Sequence, residues 1–127
     1  MATRQSFTAG QVLTAAQQNS LATAQIALNA QTGTTYTAVL GDDGDLVTCD
    51  NAAAIAFTIP PNSSVAFGLG TQINVMQLGA GVVTITAGAG VTLRSAGSKL
   101  KTNGQYAVAT CCKIATDTWV VIGNLVA

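Results

Sequence analysis

The feature that most constrains this chain is a two-residue alternation of apolar and polar side chains, which begins at Tyr36 and continues to the last residues. Short runs rich in Val, Ile and Thr are separated by clusters of Gly, Asn, Asp and Pro at intervals of about ten residues. This pattern indicates an all-β domain, because a strand points successive side chains to opposite faces and the intervening residue types favour turns. The predicted strands are 36–40, 46–50, 55–59, 72–78, 82–86, 91–95, 106–114 and 119–123, with 99–101 as a further candidate.

The N-terminal segment follows a helical pattern instead. Residues 7–10 predict an extended arm that ends in a turn, and Thr14 followed by Gln17 predicts a capping box at the start of a helix. Residues 15–29 are mostly Ala, Gln and Leu, which favour a helix, and Gly33 stands where a glycine C-cap is expected. The apolar side of this helix is narrow, so we expect it to dock on its own domain, on a second copy or on a larger assembly.

These two patterns divide the chain into an N-terminal arm and helix, residues 1–32, for attachment or oligomerisation, and a β-sandwich module, residues 33–127. The predicted fold class is mainly β: an antiparallel β-sandwich or jelly-roll-like module, preceded by the extended arm and one short α-helix. The residues predicted to make attachment or oligomer contacts are Phe7, Val12, Leu13, Leu21 and Leu28.

Alternation also predicts which strand faces form the core. In strand 106–114 the larger side chains share one face, which we expect to be buried, and Lys113 then lies on the solvent face. The members of that predicted core face are Tyr106, Val108, Cys112 and Ile114. The similar runs 79–86 and 88–93 are interpreted as two arms of a hairpin, since a solenoid needs three or more repeats.

Composition limits the chemistry. Charged residues make up 8% of the chain, and the five basic residues balance five acidic ones, all of which are Asp. A net charge of zero gives no electrostatic attraction for nucleic acid or an anionic membrane, so neither is a predicted partner. Without His or Glu there is no imidazole base, His metal ligand or Ser-His-Asp triad, and we predict no enzyme activity, catalytic residue, metal or cofactor.

The same composition predicts an assembled protein. A free soluble domain normally carries charge on about a quarter or more of its surface residues and a net charge away from zero. A chain so poor in charge is expected to hide much of its surface in an oligomer or a larger particle. The three cysteines are expected to be buried and reduced, because two of them are adjacent and an odd number makes a poor disulfide framework. Residues 1–10 contain no apolar run, and we predict no signal peptide.

Two charged clusters have alternative interpretations. The run 41–45, with Asp50 nearby, is interpreted as a solvated turn, and a Ca²⁺ loop is the alternative because clustered carboxylates suit that ion. The cations Arg94, Lys99 and Lys101 are interpreted as a charged edge that prevents strand-to-strand aggregation. Contact with a phosphate or an acidic partner surface is the alternative for these cations.

Several runs resemble proteins of tailed phages. Residues 7–19, Phe-Thr-Ala-Gly-Gln-Val-Leu-Thr-Ala-Ala-Gln-Gln-Asn, resemble the opening of many tailed-phage structural proteins. A β-rich module of phage virion proteins, including the ends of tail-fibre-like chains, is similar to segments 60–64, 70–73, 79–81, 83–85, 88–93 and 117–119. The resemblance implies a structural protein of the virion, assembled in the host cytoplasm, with no catalytic residues, and it implies a homotrimer.

Composition and resemblance together predict a non-enzymatic virion subunit. The first expectation is a capsid decoration or cement protein, or a short head-fibre subunit, attached through residues 7–28 to the phage major capsid protein or another virion protein. A small tail fibre or receptor-binding tip is the alternative, with its receptor site in loops 60–64 or 103–105. A third expectation is a module that binds a host-surface glycan through stacked aromatic rings, with Trp119, Tyr36 and Tyr106 as candidates.

Overall fold

A computed structural model of the chain describes residues 9–10, 14–15 and 26–127, and these residues are mainly β. The strands are β1 (Leu28–Gln31), β2 (Thr35–Thr37), β3 (Leu46–Cys49), β4 (Ile55–Ile59), β5 (Gln72–Gln77), β6 (Val83–Ala87), β7 (Thr92–Arg94), β8 (Lys101–Thr102), β9 (Val108–Ala115), β10 (Thr118–Gly123) and β11 (Leu125–Val126). Single 3₁₀ turns lie at Leu40–Asp42 and Ala96–Ser98. The mainly β fold class is confirmed.

Two sheets pack face to face around a shared core. The larger sheet has the strand order β1-β3-β5-β9-β10-β7, and the smaller has the order β11-β8-β6-β4-β2. From β1 to β8 successive strands alternate between the sheets, so the chain winds in flattened coils. Equivalent strands of successive coils pair in parallel: β1 with β3 and β3 with β5 in one sheet, and β2 with β4 and β4 with β6 in the other.

The expected antiparallel arrangement is therefore wrong for the pairs among β1 to β6, which are all parallel, and both sheets are mixed. A side-chain period of two identifies a strand but is the same for either direction. Because each connection crosses to the opposite sheet, the next strand to return runs parallel to the one before it. The predicted hairpin of runs 79–86 and 88–93 is wrong for the same reason, because β6 and β7 lie in different sheets. Antiparallel pairs occur where β9 joins β5 and β10, and where β8 joins β6 and β11.

The end of the predicted helix also needs correction. Leu28 and Asn29, assigned to the helix by composition, lie in β1, and Gly33 lies in a bend between β1 and β2 rather than at a helix C-cap. Pairing with β3 decides the conformation: Leu46 N–H donates to the Ala27 carbonyl at 3.0 Å. A strand partner distant in sequence thus overrides the local helix propensity. Residues 16–25, where most of the predicted helix falls, lie outside the described residues.

The core combines side chains from both sheets and from one loop. Phe57, Ile59, Ile73, Val75 and Ile85 are almost completely buried, as the alternation predicts. Trp119 is 1% exposed and meets the ring of Phe67 edge-on, with centroids 5.4 Å apart and an interplanar angle of 89°. The loop 60–71 therefore contributes a core side chain and is not a free surface loop.

Strand β9 faces the opposite way from the prediction. Its buried residues are Ala109, Cys111 and Lys113, and Ala107 in the preceding turn is buried as well. The larger apolar side chains of the strand point outward. Three residues that were predicted to be core point outward instead, namely Val108, Cys112 and Ile114. The fourth, Tyr106, is 66% exposed. Ala107, Ala109 and Cys111 are small, so the inward side of this segment carries less apolar volume than its outward side. Side-chain size alone therefore gives the wrong face for this strand.

Candidate assembly surfaces

The outward side of the larger sheet is apolar, and we call it the apolar face. Its apolar members are Leu28, Ala30, Leu46, Met76, Val108, Cys112, Ile114, Val120 and Ile122. Leu28 is 72% exposed, Ile114 54% and Ile122 57%. At the outward positions of these six strands the charged side chain is Arg94, on the edge strand β7, and the other polar members are Thr, Asn and Gln. These apolar side chains lie around a polar pair on the two central strands, where the Thr110 hydroxyl donates to Asn74 Oδ1 at 2.8 Å. Apolar side chains gathered on one surface favour a protein contact.

The outward side of the smaller sheet is different in kind, and we call it the hydroxyl face. The parallel register of β2, β4 and β6 stacks Thr35, Ala56 and Thr84 in one row, and Thr37, Thr58 and Thr86 in the next. Lys101 on β8 extends the first row. Hydroxyl and ammonium groups are well solvated, so this face is suited to water. The sandwich therefore has one wet face and one face that favours a partner.

A polar network closes the open end of the first coil. Asp42 is 2% exposed, and its carboxylate accepts hydrogen bonds from Tyr36 Oη at 2.7 Å, Asn29 Nδ2 at 2.9 Å and the Val39 N–H at 3.0 Å. Asn29 Nδ2 lies 2.8 Å from Tyr36 Oη as well. These side chains occupy the inward positions of β1 and β2, where later coils carry Val47 and Phe57. A polar layer in a terminal coil is a usual way to cap a stack of this kind.

Burial and the adjacent carboxylate alter the acidity of the tyrosine in this network. Burial raises the pKa of Tyr36 to about 12, and the hydrogen bond to Asp42 and the negative charge of Asp42 act in the same direction. A tyrosine whose pKa is higher in the folded chain than in the unfolded chain stabilises the fold below the unfolded value. That stabilisation is lost as the pH rises through about 12.

We expect Tyr36→Phe to change the alkaline stability of the protein. At pH 8 the variant should be less stable by about 0.5–1.5 kcal/mol, because Asp42 loses one donor. Between pH 10 and pH 12 this difference should shrink, because only the wild type loses the contribution of Tyr36. Urea unfolding of both proteins across that range measures the difference. Parallel stability curves for the two proteins would contradict the role given to Tyr36.

The predicted acidic cluster is divided by the fold. Asp42 and Asp45 are buried, whereas Asp43 and Asp50 are exposed. Both carboxylate oxygens of Asp42 accept protein hydrogen bonds, and among the described residues no group of three or more His, Cys, Asp or Glu side chains is placed to hold a metal ion. The run 41–45 thus forms the end of a 3₁₀ turn and the connection to β3. The buried carboxylate of Asp42 has a structural role there, as a hydrogen-bond acceptor.

A buried lysine holds the loop that was proposed as a receptor site. Lys113 is 3% exposed, and its ammonium group donates to Asn62 Oδ1 at 2.8 Å and to the Phe67 carbonyl at 2.6 Å. The Asn62 N–H donates to Asp117 Oδ1 at 2.6 Å. These bonds fix loop 60–71 against β9 and the β9–β10 turn. Sequence reasoning missed this role because it placed Lys113 on the solvent face.

The remaining predicted residues are distributed as follows. Leu28 begins β1 on the apolar face, and Phe7, Val12, Leu13 and Leu21 lie outside the described residues. Trp119 is buried and offers no ring face to a glycan. Arg94 lines a cavity of about 310 Å³ and Lys99 lines another of about 250 Å³, and Ser95 and Ala96 line both.

The cysteines are free thiols in different surroundings. Cys49 and Cys111 are buried, and burial raises their pKa values to about 11 and about 12, so neither forms a reactive thiolate at neutral pH. Cys112 is partly exposed on the apolar face. The expectation of three buried cysteines is therefore correct for two of them.

No protein-family model, curated protein or solved structure matches this chain. Among the described residues, no helix has the length and apolar character needed to cross a membrane.

Proposed function

We propose that this protein is a non-enzymatic structural subunit of a phage virion, a capsid decoration or cement protein or a short head-fibre subunit. The observation that carries the proposal is the apolar face, because a soluble chain with this much uncharged sheet surface is suited to permanent assembly. The resemblance of residues 7–19 to the opening of phage structural proteins favours a phage virion as that assembly. The major capsid protein is the proposed partner, and copies of the chain form a homotrimer.

The N-terminal segment is the proposed attachment element. Leu28 is fixed in the larger sheet by pairing with β3, so the part that precedes the sheet ends near Ile26. Attachment through the segment before Ile26 would leave the sandwich facing away from the shell.

Removal of residues 1–25 should abolish binding to particles while the sandwich still folds. Particles that lack the protein would be mixed with the full-length or the shortened chain, sedimented, and analysed for bound protein. Far-UV circular dichroism and the unfolding midpoint establish that the shortened chain is folded, and full-length Leu69→Ala, which changes an exposed side chain, is the control. Binding by the folded, shortened chain would contradict attachment through this segment.

Particle imaging separates the shell from the tail. Many copies on the capsid lattice are expected for a decoration or head-fibre subunit. A few copies at the tail vertex would contradict that role and favour a small tail fibre or receptor-binding tip.

A further inference from the structure

We propose that Tyr106 and the amide side chains beside it form a binding site for a neutral saccharide. The inference deepens the proposed function and rests on it for the source of the saccharide, which is the surface of the host cell. Its physical basis is an exposed aromatic ring on a hydrogen-bonded turn, carried by a backbone conformation that tyrosine rarely adopts.

The backbone of Tyr106 is strained. Its φ is 71°, in the left-handed region, which residues other than glycine seldom occupy and which is least suited to bulky side chains. Burial of the ring does not compensate for this strain, because the residue is 66% exposed. Strain of this kind persists only where the surrounding structure imposes it, and it is concentrated at functional sites. The presence of a tyrosine here is therefore best explained by a contact that its ring makes outside the chain.

Hydrogen bonds hold the turn before β9 against the end of β5. The Tyr106 N–H donates to the Gln77 carbonyl at 2.6 Å, and the Gln77 N–H donates to the Ala107 carbonyl at 3.0 Å. The side chain of Gln105 adds a third bond, from Nε2 to the Leu78 carbonyl at 3.0 Å. The backbone that carries the ring is thus fixed before a ligand arrives, which lowers the entropic cost of binding.

Amide side chains accompany the ring in this turn and in the connection between β10 and β11. Asn103 Nδ2 donates to Asn124 Oδ1 at 3.1 Å, and both residues are exposed. This pairing leaves Asn103 Oδ1 as an acceptor and Asn124 Nδ2 as a donor, and Gln105 Oε1 is a further acceptor. A saccharide hydroxyl both donates and accepts hydrogen bonds, so neighbouring amide donors and acceptors suit it. The apolar face of a sugar ring can stack on the tyrosine.

The distribution of charge favours a neutral saccharide over an acidic one. Residues 103–107 and the segments that they bond, 77–78 and 123–124, contain no charged side chain. In the adjoining segments Lys101 precedes the turn, and the Asp50 carboxylate lies beside Gly79, so the two nearby charges have opposite signs. A phosphate or carboxylate group would therefore find no cluster of cations at this site.

The turn lies at the opposite end of the larger sheet from the N-terminal segment. Leu28, which begins β1, is level with Asn74 of β5 through the pairing of both strands with β3. The turn is bonded to β5 at Gln77 and Leu78, which are about 10–13 Å further along the strand. Attachment through the segment before Ile26 would therefore leave the ring free to contact a ligand.

The first experiment tests saccharide binding with the full-length chain. The labelled protein is applied to an array of immobilised glucose, galactose, mannose and N-acetylglucosamine oligosaccharides, beside counterparts that carry glucuronate or phosphate. We expect binding to a neutral oligosaccharide, whose affinity is then measured by titration calorimetry. Tyr106→Ala should weaken this binding at least about 10-fold, as expected for the loss of an aromatic anchor. Tyr106→Phe keeps the ring and should weaken it less, and the control Leu69→Ala, which changes a residue that is 71% exposed, should leave it unchanged.

The second experiment separates binding from folding with Tyr106→Asn. Asparagine adopts the left-handed backbone more readily than tyrosine and has no ring to stack on a sugar. We expect the variant to lose saccharide binding while its thermal unfolding midpoint rises by about 2–5 °C. A residue whose role is only to support the fold would give a change of the opposite sign. An unchanged or lower midpoint would therefore overturn the role assigned to the strained tyrosine.

Three results on the array would overturn the inference: no binding to a neutral saccharide, binding to acidic counterparts only, or an affinity that Tyr106→Ala leaves unchanged. If Tyr106→Ala instead weakens sedimentation with particles alone, the ring belongs to a protein contact and the saccharide site is wrong. The array contains no particles, so its result is separate from the proposed function. A chain that binds particles and no saccharide keeps the virion role and loses the site. A chain that binds the saccharide and no particle does the reverse.

Discussion

Trp119→Ala is expected to lower the free energy of unfolding by about 3–5 kcal/mol, because it removes the largest side chain of the core. The indole is 1% exposed and packs edge-on against Phe67 at 5.4 Å. Removing it leaves a cavity between β10 and the loop 60–71, and the edge-to-face contact is lost as well. This loss is a large part of the total stability of a typical domain, which is about 5–15 kcal/mol.

The measurement is urea unfolding followed by far-UV circular dichroism, because the chain has one Trp and the variant loses its fluorescence signal. Leu69→Ala is the control, since Leu69 lies in the same loop region and is 71% exposed. We expect it to change stability by less than about 0.5 kcal/mol. A similar small effect for Trp119→Ala would show that the indole is not packed in the core.

The burial of Trp119 also bears on glycan binding. A ring that stacks on a sugar must present a face to solvent, and this one is enclosed by the core. Trp119→Ala therefore tests folding and is unsuitable as a test of a glycan site. Among the aromatic residues named from sequence, Tyr106 is the exposed one, at 66%.

The period-two pattern predicted most strands because a sheet with one buried face requires apolar side chains at every second position of each strand. Strands β4, β5, β6 and β10 begin and end within one residue of the segments predicted from alternation. Strand direction was inaccessible, since Ile55 and Phe57 are buried by the same alternation in a parallel or an antiparallel pair. The winding between sheets depends on the connections, whose geometry alternation does not encode.

The candidate surfaces were harder to predict from the sequence than the strands. The apolar face requires knowing that Val108, Cys112 and Ile114 point outward, and their size suggested the reverse. The signal that could have corrected this is Met76, Val120 and Ile122, which interrupt the polar side of neighbouring strands. Lys113 gave no local signal, because its acceptors Asn62 and Phe67 are far away in the sequence. The pairing of β1 could not be predicted for a similar reason, because β2 and the 3₁₀ turn Leu40–Asp42 separate it from its partner β3 in the sequence.

The second large effect is expected from Gly81→Ala. The turn between β5 and β6 packs directly on the connection between β3 and β4, with the Gly81 N–H donating to the Asn51 carbonyl at 2.8 Å. A Cβ at Gly81 would overlap the carbonyl oxygen of Ala53 and lie 2.6 Å from that of Asn51. The obstacles are backbone atoms of the adjacent coil, so no side chain can rotate to make room. The connections of two successive coils would have to separate, and the bond from Ile55 N–H to the Val82 carbonyl, at 2.9 Å, would be strained with them.

We expect Gly81→Ala to cost about 3 kcal/mol or more, at the upper end for an overpacked site. Gly68→Ala is the matched control, because a Cβ there meets nothing within 4 Å and its backbone lies outside the left-handed region. That variant should be neutral or slightly more stable, since alanine reduces the freedom of the unfolded chain. Thermal unfolding of the three proteins at one pH measures the comparison. Equal midpoints for Gly81→Ala and Gly68→Ala would contradict the close stacking of coils, because the two substitutions add the same methyl group and differ in what surrounds it.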